Sequence, residues 1–150
     1  MDSGPPPPTR DTQECVVTRI VDGDTIECRR VGRVRLIGID TPEMSQRYGG
    51  DARQALARLI PVASIAALEP DVESRDRYGR LLGYVWTDGR LVNWAMVRQG
   101  WAVLLTYPPN VHYVDWLTSA QQRARASGAG LWGIGGFECL PLDRRRGRCD

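Results

Sequence analysis

The chain has 150 residues, 42% of them hydrophobic and 25% charged, with a formal net charge of +2. That length and balance suit one soluble globular domain with a real core, and the small net charge argues against tight sequence-independent binding driven by global charge. No apolar run approaches a membrane span, and all 20 basic residues are arginine, which excludes Schiff-base and phosphate-loop lysines and leaves planar guanidinium forks for every cationic contact.

Residues 1–13 are proline-rich and polar and read as a disordered lead-in. They lack the hydrophobic block and cleavage site of a signal peptide, although the same start would follow removal of an export signal. From 14 to 31 the pattern is two strands, 15–21 and 25–30, around an Asp22-Gly23 turn. Gly32 turns the chain into a third strand, 34–40, which ends in Asp40-Thr41-Pro42-Glu43, two carboxylates either side of a proline that stops strand pairing. Strict alternation would aim Arg35 and Asp40 at opposite faces, so a site using both needs the strand to bulge or end early, and Gly38 is the expected place.

A short polar loop then leads through Gly49-Gly50 into a helix with Ala52, Ala55, Leu56, Leu59 and Ile60 on its core face, stopped by Pro61. A fourth strand is expected at 63–68, a charged segment at 73–80, a fifth strand at 81–87 and a short helix at 91–99 before Gly100. After an apolar stretch, 101–105, Asn110 offers an N-cap for a last helix, 111–127, with Val114, Leu117, Gln121 and Ala124 as its buried stripe. The five tryptophans read as packing residues, and residues 134–150 as a solvated tail rich in cysteine and arginine. Five short strands with a helix after the third fit an α+β, mainly β, fold: a five-stranded OB-type barrel with about three α-helices over residues 14–133.

The four cysteines, Cys15, Cys28, Cys139 and Cys149, contain no C-x-x-C pair, and His112 is the lone histidine, which argues against a zinc site. Of the three possible pairings, Cys15 with Cys28 and Cys139 with Cys149 are favoured; the alternative is buried free thiols. A turn at Asp22-Gly23 sets Cys15 opposite residue 30, so the first bridge requires a bulge or a longer turn. Disulfides would suit an oxidising, secreted or extracytoplasmic setting.

Two acidic strand tips and two separately placed arginines carry the chemical reading. Asp24 and Asp40 with a nearby backbone carbonyl offer an all-oxygen site for a hard divalent cation such as calcium. Glu43, held three residues further on by Pro42, could accept a proton from an associated water. Arg35 and Arg80 could bind phosphate oxygens and offset the negative charge that grows on a five-coordinate phosphorus. Together these parts describe phosphodiester hydrolysis. Taken singly, each part also fits a structural role: turn residues for Asp22 and Asp24, and a surface pair with Asp76 or Glu73 for Arg80.

In order and spacing, D-G-D-T, R-L-I-G-I-D-T-P-E, D-R-Y-G-R and V-R-Q-G resemble the motifs of the staphylococcal nuclease (thermonuclease) family, over about residues 16–132. The resemblance implies an OB-fold barrel with three helices and calcium-dependent cleavage of DNA and RNA, by water attack on phosphorus with release of the 5′-oxygen and a 3′-phosphate end. It implies calcium on the side chains of Asp24 and Asp40 and the carbonyl of Thr41, Glu43 as general base or water-orienting group, and Arg35 and Arg80 as phosphate clamps. Arg77 and Tyr78 match a basic and aromatic pair at a terminal phosphate, with arginine in place of lysine. Tyr107 matches one of two tyrosines lining the nucleotide pocket; Thr106 or Leu105 stands at the other. The expected protein is a monomer acting on nucleic acid, preferably single-stranded, with no membrane partner. A non-catalytic nucleic-acid or protein-binding module is the alternative, and the intact acid and arginine set favours the enzyme.

Overall fold

The structure, a computed structural model, describes residues 3–8 and 10–149. Strand β1 (Gln13–Asp22) buries Cys15, Val17 and Ile20. The change of spacing from two residues to three reports a bulge, one of two register shifts against β2 (Thr25–Cys28). The turn falls at Gly23-Asp24, one residue later than expected, with Asp22 opposite Thr25; the two shifts then bring Val17 opposite Cys28, the register a turn at Asp22-Gly23 would also have given, and Cys15 reaches Cys28 diagonally as a disulfide with Cα atoms 5.2 Å apart. Both shifts lie between the turn and Val17, so the bridge forms without the change of register it was expected to need. The second favoured bridge, Cys139–Cys149, is also formed.

Strand β3 (Gly32–Leu36) continues the antiparallel meander. It is shorter than expected because Ile37 and Gly38 form a turn before a two-residue strand, β4 (Ile39–Asp40). Gly38 has φ +83°, and a Cβ there would lie 2.7 Å from Leu117 Cδ1, so this break suits glycine alone. Strands β5 (Ile65–Glu69) and β6 (Leu81–Thr87) complete the barrel, in the order β3, β2, β1, β5, β6. A parallel β3–β6 pairing closes it, with Val34 beside Leu81 and Arg35 beside Leu82. The five-stranded mainly β barrel is the expected one. Two short strands were not anticipated: β7 (Arg90–Leu91), paired with β6, and β8 (Val103–Leu104), paired with β4.

Helix α1 (Gly49–Leu59) buries Ala52, Ala55 and Leu56 against the barrel. Helix α2 (Val92–Arg98) is buried over six successive residues, Val92 to Val97. Its Asn93, fully buried, donates from Nδ2 to the Ile37 carbonyl and accepts at Oδ1 from Val85 N–H, pinning the β3–β4 break to the sheet. Helix α3 (Val114–Ser127) packs on α2 through Leu117, Ala120 and Ala124; of the expected stripe, Val114 and Gln121 are only partly buried, and Gln121 Oε1 accepts from Leu104 N–H. A 3₁₀ turn, Gly130–Ile134, and a five-residue helix, α4 (Pro141–Arg145), follow, so there are four α-helices among the described residues rather than about three.

Several local expectations are corrected. Asn110 does not cap α3, which starts at Val114; its amide instead bonds both backbone groups of Glu73. Those groups reward a buried amide more than a solvent-facing helix end would. The described part of residues 3–13 lies along the barrel: Pro5 is buried, and Arg10 Nε donates to Glu69 at 2.6 Å. Glu69, 1% exposed, also accepts from Trp86 Nε1 and Tyr113 OH, and so needs a cation beside it. Met1, Asp2 and Thr9 of the lead-in, and Asp150 of the tail, lie outside the described residues. The tail folds back, with Phe137 packed on Val103 and Leu131. Trp116 departs from the packing role expected of it, being exposed on α3.

Candidate active site

The break after β3 places three side chains in one place. Arg35 Nη2 lies 3.4 Å from Asp24 Oδ2 and 3.6 Å from Asp40 Oδ1, while Nη1 donates to the Leu36 carbonyl. Had the strand run on without a turn, alternation would have sent Arg35 and Asp40 to opposite faces. Asp40 is fixed further by β8, whose Val103 pairs with it.

Asp24 is buried at the end of the β1–β2 turn. Its Oδ2 accepts from the Thr41 backbone N–H and hydroxyl, and its Oδ1 from the Thr25 hydroxyl. Burial alone would raise its pKa, but Arg35 and the hydrogen bonds from Asp22, Thr41 and Thr25 outweigh it and hold the carboxyl below its ordinary value. Asp22 moves the other way, pushed up to about 7 by burial first and by the facing Asp24 second. The pair therefore shares one proton more readily than it carries two charges.

Glu43 stands at the mouth of the site. Its backbone N–H donates to Gln46 Oε1, and Gly49 closes on its carbonyl so tightly that a Cβ would have no room. Its side chain is 47% exposed, able to meet solvent water.

Arg80 is not drawn to the acids. Its Nε pairs with Asp76 at 2.7 Å, and the same carboxylate accepts from the Arg80 and Tyr78 N–H groups. Those contacts with Arg80 and Tyr78 hold Asp76 below its ordinary pKa against the opposing effect of burial. The guanidinium lies 5.6 Å from the centre of the Tyr78 ring, and Arg77 lies 5.0 Å from the same ring. Tyr78 and Tyr107 are both exposed, and the Asn110–Glu73 amide bonds tie the Tyr107 loop to the arginine loop. Thus Asp24, Arg35, Asp40 and Thr41 converge with Glu43 at their edge, while Arg77, exposed Tyr78 and partly exposed Arg80 group around one ring, and exposed Tyr107 lies on the loop tied to theirs through Asn110 and Glu73.

One residue here escaped sequence reasoning. Arg145, on α4, forks onto Asp40 with Nη1 at 3.1 Å from Oδ1 and Nη2 at 2.7 Å from Oδ2, and its Nε lies 3.5 Å from Glu43 Oε1. Nothing in an arginine run marks one member for a site so distant in sequence.

Among the described residues, no group of three or more acidic, cysteine or histidine side chains could by itself hold a metal ion. A cation would rest on the Asp24 and Asp40 carboxylates, a backbone oxygen and water. That set is all oxygen, without sulfur or imidazole, and fits a hard cation.

The sequence model of the family described as "Staphylococcal nuclease homologue" matches residues 33–133. The chain is 36% identical to "Thermonuclease" of Staphylococcus intermedius over 126 residues, 78% of this chain and 74% of that protein. It is 40% identical to "Protein ParB" of Escherichia coli over 128 residues, 77% of this chain and 70% of that protein. Against "SPbeta prophage-derived endonuclease YokF" of Bacillus subtilis it is 34% identical over 134 residues, 83% of this chain but 45% of that longer protein.

Proposed function

Because the chain belongs to the staphylococcal nuclease homologue family, we propose that it is a nuclease, and specifically a calcium-dependent endonuclease that hydrolyses DNA and RNA and leaves 3′-phosphate ends. The observation that carries this reading is the convergence of two buried carboxylates, Asp24 and Asp40, on a single guanidinium nitrogen of Arg35. A core has no use for that arrangement, whereas a phosphodiester and its counter-ion do.

Asp24, Asp40 and the Thr41 carbonyl would hold the cation, which when bound supplies Lewis-acid stabilisation of the phosphoryl oxygens. Glu43, exposed and beside Asp40, takes the proton of the attacking water. Arg35, already between the two aspartates, donates hydrogen bonds to the phosphoryl oxygens as charge builds on them. Arg80 does the same after exchanging Asp76 for phosphate, a step helped by its partly exposed position. Water attacks phosphorus in line, the bond to the 5′-oxygen breaks, that oxygen leaves as an alkoxide and takes a proton from solvent water, and the phosphate stays on the 3′ side. Arg77, Tyr78 and Tyr107 bind the flanking nucleotide by charge and stacking. Exposed rings stack best on unpaired bases, which supports a preference for single strands.

The protein acts as a monomer. No helix among the described residues is long and apolar enough to cross a membrane, and the two disulfides support an extracytoplasmic location. The test is incubation with single-stranded DNA and with RNA, in calcium and then in chelator, with analysis of the ends. Calcium-dependent fragments carrying 3′-phosphate are expected. Intact substrate in calcium would refute the enzyme and leave a binding module.

A further inference from the structure

A cation on Asp40 must contend with what already occupies it. Asp40 is 2% exposed, and both its oxygens accept from Arg145 in a two-pronged fork, the strongest geometry a guanidinium offers a carboxylate. Arg145 is not a loosely tethered surface side chain. It ends α4, whose Pro141 is buried, and it lies within the loop closed by Cys139–Cys149. Just before that loop, Phe137 packs on Val103 and Leu131 and anchors its start. Val103 is also the β8 residue paired with Asp40, so the tail docks beside the carboxylate that its arginine grips. An arginine held this way meets Asp40 at a high effective concentration.

We propose that Arg145 is a further residue of the site: a positioning residue that holds Asp40 and Glu43, and whose guanidinium competes with a divalent cation for the Asp40 carboxylate. The inference rests on the reading of Asp40 as a cation ligand. In the cation-free protein Arg145, with Arg35 on the other side, neutralises a buried carboxylate that would be costly to keep charged alone. Cation binding then exchanges one counter-charge for another, and the disulfide-closed loop sets the concentration at which the exchange occurs. After giving up Asp40, Arg145 remains within reach of Glu43.

Calorimetric titration of the whole chain with calcium, at fixed pH and ionic strength, tests this without measuring turnover. Arg145→Gln should bind calcium on the order of 10-fold more tightly than the unaltered protein, which corresponds to about 1.4 kcal/mol. Arg145→Lys, which keeps the charge but loses the fork, should fall between the two and guards against a folding defect in the first variant. Replacing Cys139 and Cys149 together by Ser should shift affinity in the same direction by freeing the loop, and Asp40→Asn should bind calcium at least 10-fold more weakly. Equal or weaker calcium binding by Arg145→Gln would overturn the inference while leaving the calcium reading intact. Unchanged affinity with a raised KM for DNA would make Arg145 a phosphate contact and also overturn it. If neither Arg145→Gln nor the unaltered protein binds calcium, the calcium reading falls and takes this inference with it.

Discussion

Two neighbouring carboxyls, Asp22 and Asp24, show how far position alone decides the chemistry of a side chain. Asp24 has Arg35 and four hydrogen-bonding atoms of Thr25, Thr41 and Asp22 around it and stays ionised; Asp22 has burial and a facing carboxylate and is pushed up to about 7. The folded chain thus keeps on Asp22 a proton that the unfolded chain releases near pH 4, at about the ordinary aspartate value. Stability falls with rising pH wherever the folded state holds the extra proton. In chelator, the urea midpoint should therefore decline from about pH 4 to about pH 7, and Asp22→Asn should flatten that decline; an unchanged slope in the variant would contradict the assignment. Glu43→Gln should lower kcat by roughly 10²–10⁴-fold with no change in the thermal melt, because the side chain is exposed and makes no core contact; an undiminished rate would remove Glu43 from the mechanism. At this scale the meeting of Asp24, Arg35 and Asp40 was legible because carboxylates at strand tips beside turn residues are a poor way to build a core. Arg145 was not, since it meets Asp40 across 105 residues of sequence and only through a loop that a disulfide closes.

Elements place these side chains by interruption as much as by regularity. The β3–β4 break is needed to bring Arg35 and Asp40 together, and alternation along the strand with glycine at position 38 was enough to expect it. What holds the break, the buried Asn93 on α2, was hidden because an asparagine in an apolar helix carries no mark of its partner. The same difficulty hid the fate of Asn110: helix-capping rules describe local competition, and a backbone amide and carbonyl at Glu73 won it. Glu69 at the end of β5 is the plainest element-scale liability, since Trp86, Tyr113 and Arg10 all donate to it. Glu69→Ala should cost about 3 kcal/mol in urea unfolding by leaving buried donors unpaired. A loss below about 0.5 kcal/mol, the scale of an ordinary surface substitution, would show that the network contributes little.

For the molecule as a whole, the barrel is closed by one parallel pairing, β3 with β6, and stapled at its first hairpin by Cys15–Cys28. The closed barrel could be read from five short strands and the helix after the third, but its small additions, β7, β8 and α4, are too short to leave a periodic signal. Replacing Cys15 and Cys28 together by Ala should lower stability by about 2–4 kcal/mol in denaturant unfolding, as loss of a loop of this size predicts; a midpoint unmoved from that of the oxidised parent would contradict it. If the two acidic tips of the barrel hold a cation, cleavage must depend on it. The most direct test of that dependence is the initial rate of single-stranded DNA cleavage across a calcium series for the unaltered chain and for Asp40→Asn. The unaltered rate should rise from zero and saturate while the variant stays flat, whereas equal rates in the two proteins, or an undiminished rate in chelator, would contradict it.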